Sequence, residues 1–483
     1  MIGLVEQMNQ YNTPLYNQLL LHKEKKTISL HIPGHKNGEV FPLEKAPSFN
    51  EILKLDVTEL TDLDDLHSPE GAIRESEQLL AKLYQTQKSF FLTNGSTVGN
   101  LAMILSTIEE NDLVLVQRNC HKSILNGLQL AKAQPIFLSP EFDEDWQVAG
   151  GIAFETVEMA IRIYPNVKAL IVTYPNYYGM VYDLKGIIKH AHAYNIPVLV
   201  DEAHGAHFIA GDPFPASAVT FGADVVVQSA HKTLPAMTMG SFLHINSELV
   251  SRVEIEKNLR LLQSSSPSYP IMASLDIARS YLGTYYQKDK QLLQEKVKVF
   301  RKSLSKVSGI RVLPFQDDHG DLLKITIQST CMLSGFELQT QLEQVGIYSE
   351  MADAVNVLFV VPLLKVDNSF PFEEITKRII RALEKVSDTE KRPEPYIIAK
   401  NKLSKLELSF KEMKKRTSVK VPLQESVGKI TAEMIIPYPP GIPLLFPGEI
   451  ITIEDIEQIK GLVRLGARFQ GGKDLKEGLI HIY

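Results

Sequence analysis

The run Asp224-Val225-Val226-Val227-Gln228-Ser229-Ala230-His231-Lys232 puts a lysine in a polar loop directly after a β-rich segment. Earlier in the chain, the apolar strand Pro197-Val198-Leu199-Val200 ends on Asp201-Glu202-Ala203-His204. Earlier still, Thr93-Asn94-Gly95-Ser96-Thr97 lies between the apolar Phe90-Phe91-Leu92 and a helical run from Val98 to Thr107. This order along the chain is the set of groups that a pyridoxal phosphate enzyme needs. A lysine amine forms a Schiff base with the cofactor aldehyde. An aspartate against the pyridine nitrogen favours the protonated ring that accepts electrons from the substrate carbon. Backbone N–H groups at the start of the helix, with Gly95 and the Ser96 and Thr97 hydroxyls, cradle a phosphate. Each piece also has a plainer use, since Ser, Thr and Asp at such positions cap turns and helix starts. Their joint order favours the cofactor.

Working outward, short β-rich runs alternate with helical stretches between about Ser89 and His244: Phe90 to Leu92, Leu113 to Val116, Pro135 to Leu138, Ala169 to Val172, Val198 to Val200 and Val225 to Val227. Such alternation predicts a mainly parallel sheet covered by helices, with ligand groups at the carboxyl ends of strands. One long helical segment is expected from Leu275 to Lys306. It leads to a smaller α+β region holding Ile310 to Pro314, Leu322 to Ile327 and Val357 to Val361. The charged, proline-bearing stretch Ser387 to Pro395 reads as a linker. The expected division is an amino-terminal segment over 1–60, a cofactor-binding large domain over 61–285, a small α+β domain over 286–386 and a carboxyl-terminal α+β domain over 396–483.

The 483 residues carry a net charge of −6, and 44% of them are hydrophobic. That is an ordinary globular composition with both charge signs mixed, so no basic face for nucleic acid is expected. Two cysteines, Cys120 and Cys331, make no disulfide framework and stand in no metal-ligand spacing. No metal is expected. Neither a signal-like amino terminus nor an apolar run of membrane-spanning length is visible, so the expectation is a cytoplasmic protein without a membrane partner.

The chain also resembles the pyridoxal-dependent ornithine/lysine/arginine decarboxylase family over nearly its whole length. The carriers are His31-Ile32-Pro33-Gly34-His35-Lys36, Asp56-Val57-Thr58-Glu59-Leu60, Leu63-Asp64-Asp65-Leu66-His67, Arg118-Asn119-Cys120-His121-Lys122-Ser123, the two segments quoted first, Pro437-Tyr438-Pro439-Pro440-Gly441-Ile442-Pro443 and Pro447-Gly448-Glu449. It is similar to the short Gram-positive type, because Thr13-Pro14-Leu15-Tyr16 comes almost at once.

The resemblance implies an α/β, aspartate-aminotransferase-like (fold type I) enzyme with a mainly parallel seven-stranded sheet. Its activity would be decarboxylation of arginine, lysine or ornithine to the corresponding amine, as in polyamine biosynthesis, through Lys232. It further implies that His121 stacks on one face of the pyridine ring and Ala203 packs the other. His204 would sit near the cofactor phenolate or substrate carboxylate, with Asp201 on the ring nitrogen. Ser229 and His231 would add phosphate contacts, and His231 or Lys232 returns the proton. The segment Ser264-Ser265-Ser266-Pro267-Ser268-Tyr269 resembles one that reaches the neighbouring subunit's phosphate, so a homodimer or higher homo-oligomer with a shared site is expected. A polar loop before a helix would look the same.

One departure stands out: Tyr174 of Tyr174-Pro175-Asn176-Tyr177-Tyr178-Gly179 occupies the place of the family's asparagine. A tyrosine hydroxyl donates the same hydrogen bond from a longer arm. The acidic run Asp56, Glu59, Asp62, Asp64 and Asp65 either draws in a cationic substrate or is a solvated face. Glu433 and Glu449 either meet the far end of the substrate or fix their own loop. Competing readings are amino-group transfer or acyl condensation on the same lysine, or a non-catalytic protein that retains the cofactor fold.

Overall fold

The computed structural model describes residues 9–42, 44–315, 319–384, 386, 402–438, 443–464 and 466–483. The expected linker Ser387 to Pro395 and the Pro439-Pro440-Gly441-Ile442 part of the proline-rich motif lie outside the described residues. Contacts divide the chain into two compact units. One holds Met1–Thr107, Leu199–Gly211 and Ala216–Tyr286; the other holds Ile108–Val198, Asp212–Pro215 and Gln287–Tyr483.

In chain order the first strands are β1 (Lys88–Leu92), β2 (Leu113–Gln117), β3 (Gln134–Leu138), the two-residue β4 (Phe142–Asp143) and β5 (Val148–Ala149), β6 (Ala169–Thr173), β7 (Val198–Asp201), β8 (Val225–Gln228) and β9 (Ser241–Ile245). The early helices are α1 (Pro14–Glu24), α2 (Asn50–Leu53), α3 (Ala72–Tyr84), α4 (Gly95–Thr107) and α5 (Lys122–Ala131). Strands β6, β8 and β9 are buried at every position, as apolar runs must be when both faces of a sheet are covered.

In the first unit the strand order is β1-β9-β8-β7. Strand β7 runs parallel to β8, and β9 is antiparallel to both β8 and β1. Helix α4 lies close on these strands because Gly99 has no side chain. A Cβ there would come within 2.7 Å of Val227 Cγ1 and 2.8 Å of Leu92 Cδ1. The start of α3 is fixed from outside the helix. Asp64 Oδ2 accepts from the backbone N–H groups of Gly71, Ile73 and Arg74 at 2.8, 2.9 and 3.2 Å, and Oδ1 accepts from Glu70 and Asp65 at 2.8 and 3.1 Å.

In the second unit β6, β2 and β3 are mutually parallel neighbours. The first unit holds four strands and the second these three, seven in number as expected. A short strand at Leu403–Lys405 pairs antiparallel with β3 and adds an eighth. The architecture is α/β with a mostly parallel sheet. The smaller sheet is built from β10 (Ile310–Val312), β11 (Lys324–Ser329), β12 (Met351–Ala352) and β13 (Asn356–Val360), in the order β10-β11-β13-β12. Beyond it come β14 (Leu403–Lys405) and a carboxyl-terminal core of Leu423, Ile435, Leu444, Leu445, Ile451, Ile456, Ile459, Leu475, Ile480 and Ile482.

The single helix expected over Leu275 to Lys306 is two, Tyr269–Gly283 and Gln287–Leu304. The break has local causes. The Thr284 hydroxyl bonds back to Ser280 O at 2.7 Å, and Gly283 lets Gln10 come so near that a Cβ would meet its side chain at 2.8 Å. No helix among the described residues is long and apolar enough to cross a membrane.

Candidate active site

Three chain turns meet at the carboxyl ends of β7 and β8 and the start of α4, all within the first unit. Asp201 closes β7 and is 2% exposed. Asn100 on α4 donates its side-chain amide to Asp201 Oδ2 at 2.9 Å, and the Ala203 N–H reaches Oδ1 at 3.2 Å. Among the described residues Asp201 forms no ion pair, so it is a buried carboxylate held by neutral donors. Such a group calls for a cationic partner.

Lys232 lies on the short helical turn Ala230–Thr233 after β8, half-buried, with Nζ 3.0 Å from Nε2 of the buried His204. An ammonium donating to an unprotonated Nε2, or a neutral amine accepting from an Nε2–H, satisfies that contact. Ser229, fully buried, donates to Ser96 Oγ at 2.8 Å, which joins the lysine turn to the loop before α4. Gly95 opens that helix at φ +79°, and nothing stands within 4 Å of where a Cβ would be. Thr97 is exposed at the same helix start. The adjacent Thr93 N–H is held by Gln263 Oε1 at 3.0 Å, and Asn94 Oδ1 accepts from Ser264 N–H at 3.4 Å, so the serine-rich segment borders this loop within one chain.

The structure therefore brings together Gly95, Ser96, Asp201, Ala203, His204, Ser229 and Lys232. His231 turns its Nδ1 to Gly240 O at 3.0 Å. His121 belongs to the second unit, where it caps α5: Nδ1 accepts from Ser123 N–H at 3.2 Å and meets Ser123 Oγ at 2.8 Å. Tyr174 is buried in the same unit, edge-on to Tyr182 with ring centroids 5.5 Å apart.

Sequence reasoning missed Asn100, whose partner is 101 residues away and leaves no local signal. It also left Glu449 open between two roles. Glu449 pairs with Arg118, the first residue of the Arg-Asn-Cys-His segment, at 2.5 and 2.7 Å through both oxygens, and Arg118 also donates to Leu444 O at 2.9 Å. Glu449 fixes its own loop. Glu433 likewise accepts from the backbone N–H groups of Gly472 and His481 at 3.1 and 2.9 Å.

The acidic run near the amino terminus is mostly engaged as well. Asp56 meets His35 at 3.1 Å, Asp62 pairs with His22 and Lys25, Asp64 binds the start of α3 and Asp65 accepts from His67 N–H at 2.8 Å. Most of these carboxylates therefore have a structural task, as ion-pair partners or capping groups.

The residues present suit pyridoxal phosphate. A half-buried lysine can carry the aldehyde, a buried carboxylate lacking a cation faces the need of a pyridinium, and a glycine loop with two gathered serines opens a helix start for phosphate.

The comparisons agree. A family model described as Orn/Lys/Arg decarboxylase, major domain, matches residues 13–321, and that of the family's C-terminal domain matches 397–473. A Bacillus subtilis (strain 168) protein described as "Uncharacterized protein YaaO" is 43% identical over 480 residues, 98% of each chain. An arginine decarboxylase of the same organism is 32% identical over 487 residues, also 98% of each. The crystal structure of the Francisella novicida lysine decarboxylase LdcF superposes with a TM-score of 0.81 at 21% identity, covering 97% of this chain and 80% of that one. The fold is the aspartate-aminotransferase-like type I fold of pyridoxal phosphate enzymes. With both family models matched in order along one sequence, this chain belongs to the Orn/Lys/Arg decarboxylase family and is a pyridoxal-phosphate-dependent decarboxylase.

Proposed function

We propose that the chain decarboxylates a basic amino acid, arginine before lysine or ornithine, and that Lys232 carries the cofactor. The observation behind this reading is the meeting of Lys232 with His204 at 3.0 Å beside the Asn100-held Asp201. The preference for arginine rests on full-length likeness to arginine decarboxylases of Bacillus.

Bound pyridoxal phosphate supplies the electron sink for the pair of electrons left when carbon dioxide departs. Asp201 would hold its negative charge against the ring nitrogen, with Asn100 keeping that carboxylate in one orientation. Gly95, Ser96, Thr97 and Ser229 would hold the phosphate. Ala203 would leave room for one ring face, where a larger side chain would take the cofactor's place, and His121 would be the residue to cover the other. His204 holds or releases a proton at Nε2, next to the lysine amine. His231 or Lys232 returns a proton to the substrate carbon.

We also propose a homodimer or larger homo-oligomer that completes the site, and a cytoplasmic location, which suits two buried cysteines, Cys120 and Cys331, that form no disulfide. The test is amine formation by cofactor-loaded protein offered arginine, lysine and ornithine in parallel, with Lys232→Ala as the blank. One amine appearing only with the intact lysine supports the reading. Firm cofactor binding with no amine from any of the three would overturn the substrate class and turn attention to amino-group transfer or acyl condensation.

A further inference from the structure

Glu202 follows Asp201 directly but faces the other way. It is fully buried, and three donors converge on its two oxygens. The Ala218 N–H reaches Oε1 at 2.6 Å, while Ser217 Oγ and Gln228 Nε2 reach Oε2 at 2.7 and 2.5 Å. Among the described residues it forms no ion pair. Its backbone is tied to the same place, with Glu202 N–H on Val227 O at 2.8 Å. Gly205, in the following turn, has no room for a side chain, because a Cβ would stand 2.7 Å from Glu202 Cγ.

Gln228 is the hub of the arrangement. It ends β8 immediately before Ser229, and its Oε1 accepts from His244 Nε2 on β9 at 3.1 Å. His244 Nδ1 in turn meets Ser89 Oγ on β1 at 2.7 Å. The titratable groups facing Glu202 from the elements packed around it are the Tyr84 phenol on α3 and, through Gln228, this imidazole. Neither is a cation near neutral pH: burial pushes His244 down to about 3 and holds Tyr84 well above its ordinary value.

Building on the active-site reading above, we propose that Glu202 is a positioning residue. Through Gln228 and Ser217 it holds the turn bearing Asp201 and His204 in register with the turn bearing Ser229 and Lys232, and its ionised form sets that register.

The three donors explain why ionisation matters. A carboxylate can accept from all of them at once. A carboxylic acid must find an acceptor for its own proton, and a reversed Ser217 hydroxyl or a flipped Gln228 amide offers one, each at the expense of the bond it now donates to Oε2. Burial pushes the Glu202 carboxyl up to about 7, against the opposing hydrogen bonds. The change of register therefore falls in the physiological range.

The test reads the protein with and without cofactor. In the apoprotein, infrared difference spectra across neutral pH should show one buried carboxylic acid band lost in the wild type and no such change in Glu202→Gln. In the holoenzyme, Glu202→Gln sets an amide donor against donors. It should lower kcat about tenfold or more while KM and borohydride-trapped cofactor stay near wild type.

Ser217→Ala keeps the carboxylate and removes one donor. The infrared midpoint and the acid limb of the kcat profile should both move up by about one pH unit, the size of one lost hydrogen bond to a charged group. An unchanged band, an unmoved midpoint in Ser217→Ala, or full kcat in Glu202→Gln would each overturn the proposal. Wild-type protein that traps cofactor but makes no amine would instead overturn the decarboxylase substrate reading, and the infrared arm would still decide the role of Glu202.

Discussion

Asn100 donates to Asp201 Oδ2 at 2.9 Å while the Ala203 N–H reaches Oδ1 at 3.2 Å, so both oxygens of the aspartate are pinned. Orientation is set by a helix on one side and by the aspartate's own turn on the other. Removing the amide leaves the carboxylate held at Oδ1 alone. Asn100→Ala should weaken cofactor retention about tenfold, since a hydrogen bond to a charged group contributes roughly 1.5–3 kcal/mol. Fluorescence titration of apoprotein with pyridoxal phosphate measures it, and an affinity equal to wild type would rule out the orienting role.

Lys232→Ala should leave circular dichroism and thermal midpoint near wild type while abolishing turnover and borohydride-trappable cofactor. The side chain is only half-buried, so its loss opens no large cavity. Turnover surviving in that variant would remove Lys232 from the chemistry.

The pH dependence of stability should show two opposing slopes. Glu202 has a folded value of about 7 against an ordinary 4.5, so its contribution is complete below about 4.5 and is lost as pH rises through 7. His244 has a folded value of about 3 against 6.5, so its contribution is complete above about 6.5 and is lost as pH falls toward 3. Between about 4.5 and 6.5 the two nearly cancel, each changing stability by roughly 1.4 kcal/mol per pH unit. Wild type should therefore be nearly flat there. Glu202→Gln should lose stability on acidification, and His244→Gln should lose it on going to neutral pH. Thermal midpoints at three pH values decide this, and parallel curves for the two variants would refute it.

Breaking the Arg118–Glu449 pair should be costly, because both side chains are less than a tenth exposed. Arg118→Ala leaves a buried carboxylate without its partner, a loss of about 3–5 kcal/mol. Arg118→Met with Glu449→Leu should recover most of it. Urea midpoints of the single and double variants provide the comparison; an additive double variant would mean the two charges act independently.

How much of this was legible beforehand depends on the range of each interaction. Strand ends, the helix start at Gly95 and the lysine turn carry short-range signals, and the structure has Asp201, Ser229 and Lys232 at the ends their sequence context suggests. The break at Thr284 was only partly legible: Gly283 and the Thr284 hydroxyl are local breakers, but the contact with Gln10 comes from a distant part of the sequence. Asn100, Gln228 and His244 stand in runs that read as ordinary helix and strand. Their roles come from partners on other elements, and one sequence does not pair them. The acidic run was ambiguous for the same reason, since composition does not tell a capping carboxylate from a solvated one.

Asp64 has a wider consequence. A helix start is a ready seat for phosphate, and the proposed cofactor site uses one such seat. At α3 the seat is already taken by the chain's own carboxylate, which engages four backbone N–H groups there. At α4 the loop is left open by Gly95. Because Asp64 is part of the chain, its effective concentration at this helix start is high, and a dissolved anion competes poorly for the same N–H groups.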